Sequence, residues 1–145
     1  MSIIDLFRNK LILVVGAGTT GRSIARFLNA EKIAFKIFDE NTSEIDGFPT
    51  IGKLEERFDF AFVSPGWRKN HKIIEELRSH GCELISELDL AWRLKEEISP
   101  DQKWLAVTGT NGKTTTVQML ESILNKSSYR AVACGNVGLT VIDAV

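Results

Sequence analysis

The 145-residue sequence has little cysteine and histidine and no long apolar run. Cys82 and Cys134 match no C-x-x-C spacing, so we expect free thiols in a reducing cytoplasm. His71 and His80 have no partner at metal-ligand spacing, which favours solvent-facing or capping roles. No run approaches the ~18 residues of a membrane span and the N-terminus lacks a signal-peptide pattern, so we expect a soluble, unexported, cytoplasmic protein.

An excess of charge of one sign is also absent. The net charge is −1 and charges of both signs are interspersed, which argues against an extended nucleic-acid surface or a polybasic membrane anchor. With 43% hydrophobic residues the chain is long enough for one solid core, and we expect one to one and a half domains. Binding is therefore expected at local sites.

Apolar runs that alternate with helical patterns predict an α/β fold, with a Rossmann-like parallel sheet in residues 1–99. The run at residues 11–15 has no alternation, which is typical of a strand buried on both faces. Strands are further predicted at 35–38, 58–63 and 82–85, with a short strand or a loop at 48–51, and helices at 21–30, 71–80 and 87–97.

The polar segment at residues 99–102 (Ser-Pro-Asp-Gln) breaks this pattern, and we place a domain boundary there. Residues 100–145 then form a second segment that is predicted to contain one βαβ unit. Its expected elements are a strand at 103–107, a helix at 113–125 with Val117, Leu120, Ile123 and Leu124 inward, a strand at 131–134 and the start of a helix at 139–145.

The sequence GAGTTG at residues 16–21 fits G-x-G-x-x-G between a predicted strand and a predicted helix. Asp39 ends the next strand 18 positions after Gly21, near the spacing of about 20 in dinucleotide-binding turns. This arrangement favours binding of a nucleotide or nucleotide sugar over a merely tight turn. It does not separate such a ligand from NAD.

A second glycine-rich loop, TGTNGKTT at residues 108–115, follows the apolar run at 104–107 and precedes a helical pattern. Glycines let backbone N–H groups approach phosphates, a lysine neutralises the β/γ end, and the next hydroxyl can ligate Mg²⁺. The loop departs from the strict G-x-x-x-x-G-K-[ST] pattern, because Val107 stands where the first glycine would be. We predict a P-loop that binds ATP through Gly109, Thr110, Asn111, Gly112, Lys113, Thr114 and Thr115, with Thr114 on Mg²⁺.

Two other turns are ambiguous from the residues alone. Ser64-Pro65-Gly66 either stops an edge strand or lies at a ligand site, since ligands of α/β proteins bind at the carboxyl ends of strands. Gly135-Asn136 is predicted to be an ordinary turn, because asparagine tolerates the left-handed conformation. The three tryptophans, Trp67, Trp92 and Trp104, are predicted to be packing groups, since basic residues are not interleaved with them.

Two nucleotide-binding turns in tandem, the second reading TGTNGKTT, resemble the Mur ligases of peptidoglycan precursor synthesis. Along the whole chain the motif order is similar to the members that add D-glutamate to UDP-N-acetylmuramoyl-L-alanine. The motifs are GAGTTG at 16–21, VSPG at 63–66, ISEL at 85–88, the ATP loop with Asn111, and GNVG at 135–138. The L-alanine-adding members and the folylpolyglutamate synthases fit less well. An NAD-binding module without ligase activity is the alternative from another class.

The resemblance implies that the first turn binds the UDP part of UDP-N-acetylmuramoyl-L-alanine. It assigns that substrate to Gly18, Thr19, Thr20, Asp39, Gly66 and Asn136, and so replaces the turn-only interpretation of Asn136. It also implies that ATP converts the substrate carboxylate to an acyl phosphate, which the amine of D-glutamate attacks. Lys113 is the catalytic residue that we predict.

Family members have three domains, and only the first and the opening of the second are recognisable here. From this we expect an incomplete chain that cannot complete ligation alone. The uncovered apolar faces of residues 103–145 are then expected to lead to self-association, packing against the first domain, or disorder.

Overall fold

The computed structural model describes residues 2–145. Its helices are α1 (Ile3–Phe7), α2 (Thr19–Ala30), α3 (Lys72–Ser79), α4 (Glu87–Ile98) and α5 (Lys113–Lys126), followed by a 3₁₀ turn at Ile142–Ala144. Its strands are β1 (Ile12–Val15), β2 (Lys36–Phe38), β3 (Glu44–Ile45), β4 (Phe48–Ile51), β5 (Phe60–Val63) and β6 (Glu83–Ser86).

The six strands form one sheet in the order β3-β4-β2-β1-β5-β6. All neighbouring pairs are parallel except β3 with β4, which is a short antiparallel edge pair. The α/β fold with a Rossmann-like parallel sheet is therefore confirmed. The segment at 48–51, which the sequence left between strand and loop, is a strand that pairs with β2.

Side chains on the two faces of the sheet belong to separate apolar clusters. Ile12 and Val14 of β1 pack in one cluster with α1, α2 and α4, whereas Leu13 and Val15 pack in the other with α3. All four side chains are at most 1% exposed, which explains why the run does not alternate. Helices α2 and α3 lie on opposite faces while their crossovers run in opposite directions, so both crossovers have the same hand.

The strand order also determines where a ligand can bind. From β1 the chain crosses to β2 on one side, and it later returns to β5 on the other side of β1. The crevice beyond the carboxyl ends of β1 and β5 is thus a topological switch point, where open α/β sheets bind their ligands. Residues 16–18 follow β1 and residues 64–66 follow β5, so both turns open into this crevice.

The elements of residues 100–145 differ from the prediction. No strand forms at 103–107, and the segment at 131–134 contributes only an isolated bridge between Cys134 and Leu139. The end of the chain forms a 3₁₀ turn instead of an α-helix. A strand needs a hydrogen-bonded neighbour and these runs pair with neither edge of the sheet, whereas α5 forms because its hydrogen bonds are internal.

The expected inward face of α5 is not buried. Val117, Leu120 and Leu124 are only half-buried, and Ile123 is 61% exposed. No residue of α5 is buried, so this helix lacks the packing that usually stabilises an amphipathic face.

The end of the chain does pack against the first ninety-nine residues. Ile142 is buried in the cluster that contains α2 and α4. Trp104 packs edge-to-face on Trp92 of α4, with ring centroids 5.2 Å apart. Packing against the first domain, one of the three expected outcomes, is thus observed for these groups, while self-association and the domain boundary stay predictions.

Asp59 fastens the start of β1 to the start of β5. Its carboxylate accepts the Leu11 N–H at 2.8 Å and lies 3.4 Å from Lys10 Nζ. The Leu11 hydrogen bond, aided by Lys10, lowers the pKa of this carboxyl below its usual value, against a smaller opposing effect of burial. A group whose pKa is lowered on folding stabilises the fold above its unfolded pKa, and that contribution is lost as pH falls through the folded pKa.

We therefore expect Asp59→Asn to lower the free energy of unfolding at neutral pH, and the difference from the wild type to shrink as the pH falls below about 4. Urea unfolding at several pH values measures this. Glu55→Gln is the control, because its ion pair with Lys53 is highly exposed. A difference that stays constant from pH 7 to pH 2 would contradict the assignment.

Candidate functional site

The first glycine turn joins β1 to α2 and closes tightly. Gly16 has a φ of 106°, in the left-handed region, and its N–H donates to Phe38 O at 2.8 Å. A Cβ at Gly16 would lie 2.6 Å from Trp67 Nε1 and 2.9 Å from Ser64 Oγ, and a Cβ at Gly21 would overlap Gly16 O. Glycine at both positions lets α2 approach β1 and lets the turns after β1 and β5 touch.

Gly18, the middle glycine of this turn, has open space around its Cα instead. Gly18 is the N-cap of α2, and a Cβ there would meet nothing within 4 Å. It supplies no side-chain cap, so the first N–H groups of α2 are available to an anion, which the positive end of the helix favours. Thr19 is exposed and Thr20 half-buried beside it. The three glycines thus divide their roles as in a nucleotide-binding turn.

Asp39 binds backbone rather than standing free. One carboxylate oxygen accepts the Ala17 N–H at 2.8 Å, and the other accepts the N–H groups of Asn41 at 2.8 Å and Thr42 at 3.1 Å. A carboxylate has about four acceptor positions, so about one is left for a ligand. Asp39 therefore fixes the first turn against the loop after β2, a role that sequence reasoning missed because its donors lie on separate loops.

The turn after β5 contributes an unusual polar group. Ser64 is 9% exposed, and its hydroxyl has no hydrogen-bond partner among residues 2–145. Gly66 is open, since a Cβ added there would meet nothing within 4 Å. Trp67 packs on Phe38 and His71, at 5.5 Å and 4.7 Å between ring centroids, as predicted for a packing group. The Ser64 hydroxyl is thus a buried polar group without a partner among residues 2–145, packed against Gly16.

The second glycine-rich loop, residues 108–115, precedes a helix as predicted but follows no strand. Gly109 has a φ of 150° and Gly112 a φ of 77°, conformations that favour glycine. Lys113 opens α5, and its Nζ donates to the carbonyls of Gly109 and Thr110. Gly112 is the N-cap and provides no side-chain cap, so the N–H groups of the first turn are free for phosphate oxygens.

The remaining loop residues, Asn111, Thr114 and Thr115, are exposed. In the described part of the chain, 2–145, no hydrogen bond joins residues 108–115 to the first glycine turn. The strands and loops that carry Gly18, Thr19, Thr20, Asp39 and Gly66 bring these residues together at one edge of the sheet.

The GNVG turn at 135–138 carries Asn136 on its exposed side. The bridge between Cys134 and Leu139 closes this turn, with Gly135 N donating to Leu139 O at 2.8 Å. Gly135 and Gly138 have φ values of 102° and 67°, which explains the two glycines.

The polar residue that joins the first glycine turn to the segment after the GNVG turn was visible in the sequence only as part of the ISEL motif at 85–88, without a role of its own. Glu87 is 8% exposed and follows the Ser86 N-cap as the first residue of α4. Its carboxylate accepts the Thr20 hydroxyl at 3.2 Å, the Val141 N–H at 2.6 Å and the Ile142 N–H at 3.2 Å. Its sequence signals are its place in the ISEL motif at 85–88 and its position directly after a helix cap, where an acidic residue more often lies in solvent.

Within 2–145 no group of three or more His, Cys, Asp or Glu side chains could hold a metal ion, and no helix there is long and apolar enough to cross a membrane. Cys82 and Cys134 are free thiols, as predicted. Burial raises the pKa of Cys82 to about 11, so this thiol is a poor nucleophile at neutral pH.

Comparison with known proteins points to one family. Residues 107–142 match the Mur ligase middle domain. The chain is 36% identical over 148 residues to a UDP-N-acetylmuramoylalanine--D-glutamate ligase of Corynebacterium diphtheriae, covering 92% of this chain and 31% of the relative. It is 37% identical over 153 residues to the enzyme of that name from Thermobifida fusca, covering 94% and 32%. The chain thus spans about a third of the length of these relatives.

Proposed function

Because the chain belongs to the Mur ligase family, we propose that it carries the nucleotide-binding portion of an ATP-dependent ligase of peptidoglycan precursor synthesis. The specific reaction proposed is addition of D-glutamate to UDP-N-acetylmuramoyl-L-alanine. The observation that carries the proposal is the pair of glycine turns in one chain, one at the switch point of the sheet and one at the start of α5. Relatives that bear this enzyme name match across both turns.

The first turn suits the UDP part of the substrate. The open Gly18 and the uncapped N-terminus of α2 can receive a diphosphate. Asp39 has little acceptor capacity left, so it is poorly placed to bind both ribose hydroxyls as an acidic residue does in NAD sites. This observation favours the nucleotide sugar over the NAD-binding alternative.

The second turn suits the phosphates of ATP. Lys113 would exchange the carbonyls of Gly109 and Thr110 for β/γ-phosphate oxygens, and the N–H groups of residues 113–115 would hold the chain of phosphates in line. The exposed Thr114 hydroxyl is a hard oxygen donor of the kind that Mg²⁺ accepts together with phosphate oxygens. Mg²⁺, when bound, neutralises phosphate charge.

In the proposed reaction the substrate carboxylate attacks the γ-phosphorus of ATP, giving an acyl phosphate and ADP. The amine of D-glutamate then attacks the acyl carbon, loses a proton, and expels inorganic phosphate as the amide forms. The residues of the two turns contribute by positioning and by stabilising charge, since none of them is required as a nucleophile in either step.

Titration of the chain with UDP-N-acetylmuramoyl-L-alanine and, separately, with NAD tests the first site. We expect saturable binding of the UDP compound and none of NAD at the same concentrations. Gly66→Ala should lower the affinity for the UDP compound about tenfold, because it places a methyl group in the crevice without unfolding the protein.

Gly52→Ala is the matched control, because it adds the same methyl group to open space after β4. That position is three strands from β5, about 14 Å away. An equal loss of affinity for the UDP compound in Gly66→Ala and Gly52→Ala, or selective binding of NAD by the wild type, would contradict the proposal.

A further inference from the structure

We propose that Glu87 is a positioning residue that holds the two halves of the candidate UDP-substrate site at a fixed separation. One half is the first glycine turn with Thr20, and the other is the turn that carries Asn136. The inference rests on the proposed function, because it assigns both halves to the same ligand. It adds a residue that contacts neither the nucleotide nor the reacting groups.

The position of Glu87 is itself fixed by local structure. Ser86 pairs with Val63 at the end of β6, so Glu87 emerges at the same edge of the sheet as Ser64. Ser86 and Asp89 form a reciprocal capping box, which holds the first turn of α4 in place. The Glu87 carboxylate is therefore aimed at the crevice from a rigid element.

The first connection is to Thr20. Its hydroxyl donates to Glu87 Oε2 at 3.2 Å, across 67 residues of sequence. Because a hydroxyl has one proton, this hydrogen bond fixes the rotation of the Thr20 side chain and leaves its lone pairs for other partners. Glu87 thereby sets the orientation of a side chain that is assigned to the ligand.

The second connection is to the segment after the GNVG turn. Glu87 Oε1 accepts the N–H groups of Val141 and Ile142, which begin three residues after Gly138. The turn is closed on itself by the bridge between Cys134 and Leu139, so it moves with this anchored segment as one piece. The location of Asn136 relative to the first turn thus depends on Glu87.

A separate anchor keeps the segment attached when Glu87 is changed. Asp143 accepts the Ser23 hydroxyl at 2.8 Å and lies 3.3 Å from Arg26 Nη2, both on α2. Substitution at Glu87 should therefore loosen the placement of the turn without releasing it. This makes a positioning role separable from a purely structural one.

A double-mutant cycle between Glu87 and Asn136 tests the inference, with binding of UDP-N-acetylmuramoyl-L-alanine as the readout. We expect Glu87→Ala and Asn136→Ala each to lower the affinity about tenfold when introduced alone. In a protein that already carries Glu87→Ala, adding Asn136→Ala should lower the affinity by less than a further factor of about two. Exchange of the Val141 and Ile142 amides with deuterium should speed up in Glu87→Ala without ligand. Glu76→Gln, on the exposed face of α3, is the control and should bind as the wild type does.

Glu87→Gln guards against a variant that fails to fold. Its Oε1 can still accept the Val141 and Ile142 N–H groups, whereas its Nε2 faces Thr20 as a donor and reverses that hydrogen bond. In Glu87→Gln we expect the Val141 and Ile142 amides to exchange as slowly as in the wild type, and the affinity for the UDP compound to fall. Adding Thr20→Val to Glu87→Gln should not lower that affinity further. Losses of affinity that add independently in the double-mutant cycles, or wild-type affinity in both Glu87 variants, would contradict the inference about Glu87 but not the proposed function. Failure of the wild type to bind the UDP compound would overturn the proposed function and the inference with it.

Discussion

Replacing Lys113 with alanine should lower the affinity for ATP about 100-fold, since a charged donor to phosphate oxygens contributes about 1.5–3 kcal/mol for each strong contact. Its Nζ donates to the Gly109 and Thr110 carbonyls, so the charge is held at the loop that leads into the uncapped start of α5. The stability of the fold should hardly change, because Lys113 is exposed.

The measurement is a calorimetric titration of the chain with ATP in the presence of Mg²⁺. Lys126→Ala is the matched control, since it removes the same charge from the other end of α5, about 20 Å away. Its affinity for ATP should equal that of the wild type within about twofold. If Lys113→Ala binds ATP within about threefold of the wild type, the loop is a glycine turn that carries a lysine by coincidence.

Replacing Gly21 with alanine should destabilise the fold by about 3 kcal/mol or more, a large fraction of the stability of a small domain. The added Cβ would overlap Gly16 O and lie 3.0 Å from Gly16 C, and both are backbone atoms that cannot rotate away. The helix would have to move off β1 and disrupt the cluster around Ile24. Urea unfolding measures the change.

Gly18→Ala provides the contrast within the same turn. Its φ of −75° is ordinary and its Cβ meets nothing, so stability should change by less than about 1 kcal/mol. Binding of UDP-N-acetylmuramoyl-L-alanine should fall, because the methyl group occupies space that a phosphate needs. Equal destabilisation by the two substitutions would show that α2 does not pack on the turn as described.

Hydrogen bonds between residues far apart in the chain could not be predicted from the sequence. The glycine positions, Asp39 and Lys113 were recognisable because each lies at a fixed spacing from a predicted strand or helix. The role of Glu87, which appeared only within the ISEL motif, was not, because its partners lie 54 to 67 residues away and an acidic first-turn residue is ordinary in a helix. The role of Asp39 as a backbone acceptor was missed although two of its three donors, Asn41 and Thr42, follow it closely in the sequence; the third, Ala17, is 22 residues away on the loop after β1.

The sequence by itself determined the four parallel strands β1, β2, β5 and β6, the two glycine turns and the helix after Lys113. These features follow from local spacing, apolar runs and the conformational freedom of glycine. Only the tertiary structure decided that residues 103–107 and 131–134 form no strands, since strands exist only where a neighbour completes their hydrogen bonds. It likewise decided that Glu87 joins Thr20 to the segment beyond Asn136, because burial of a carboxylate is set by all the elements that enclose it.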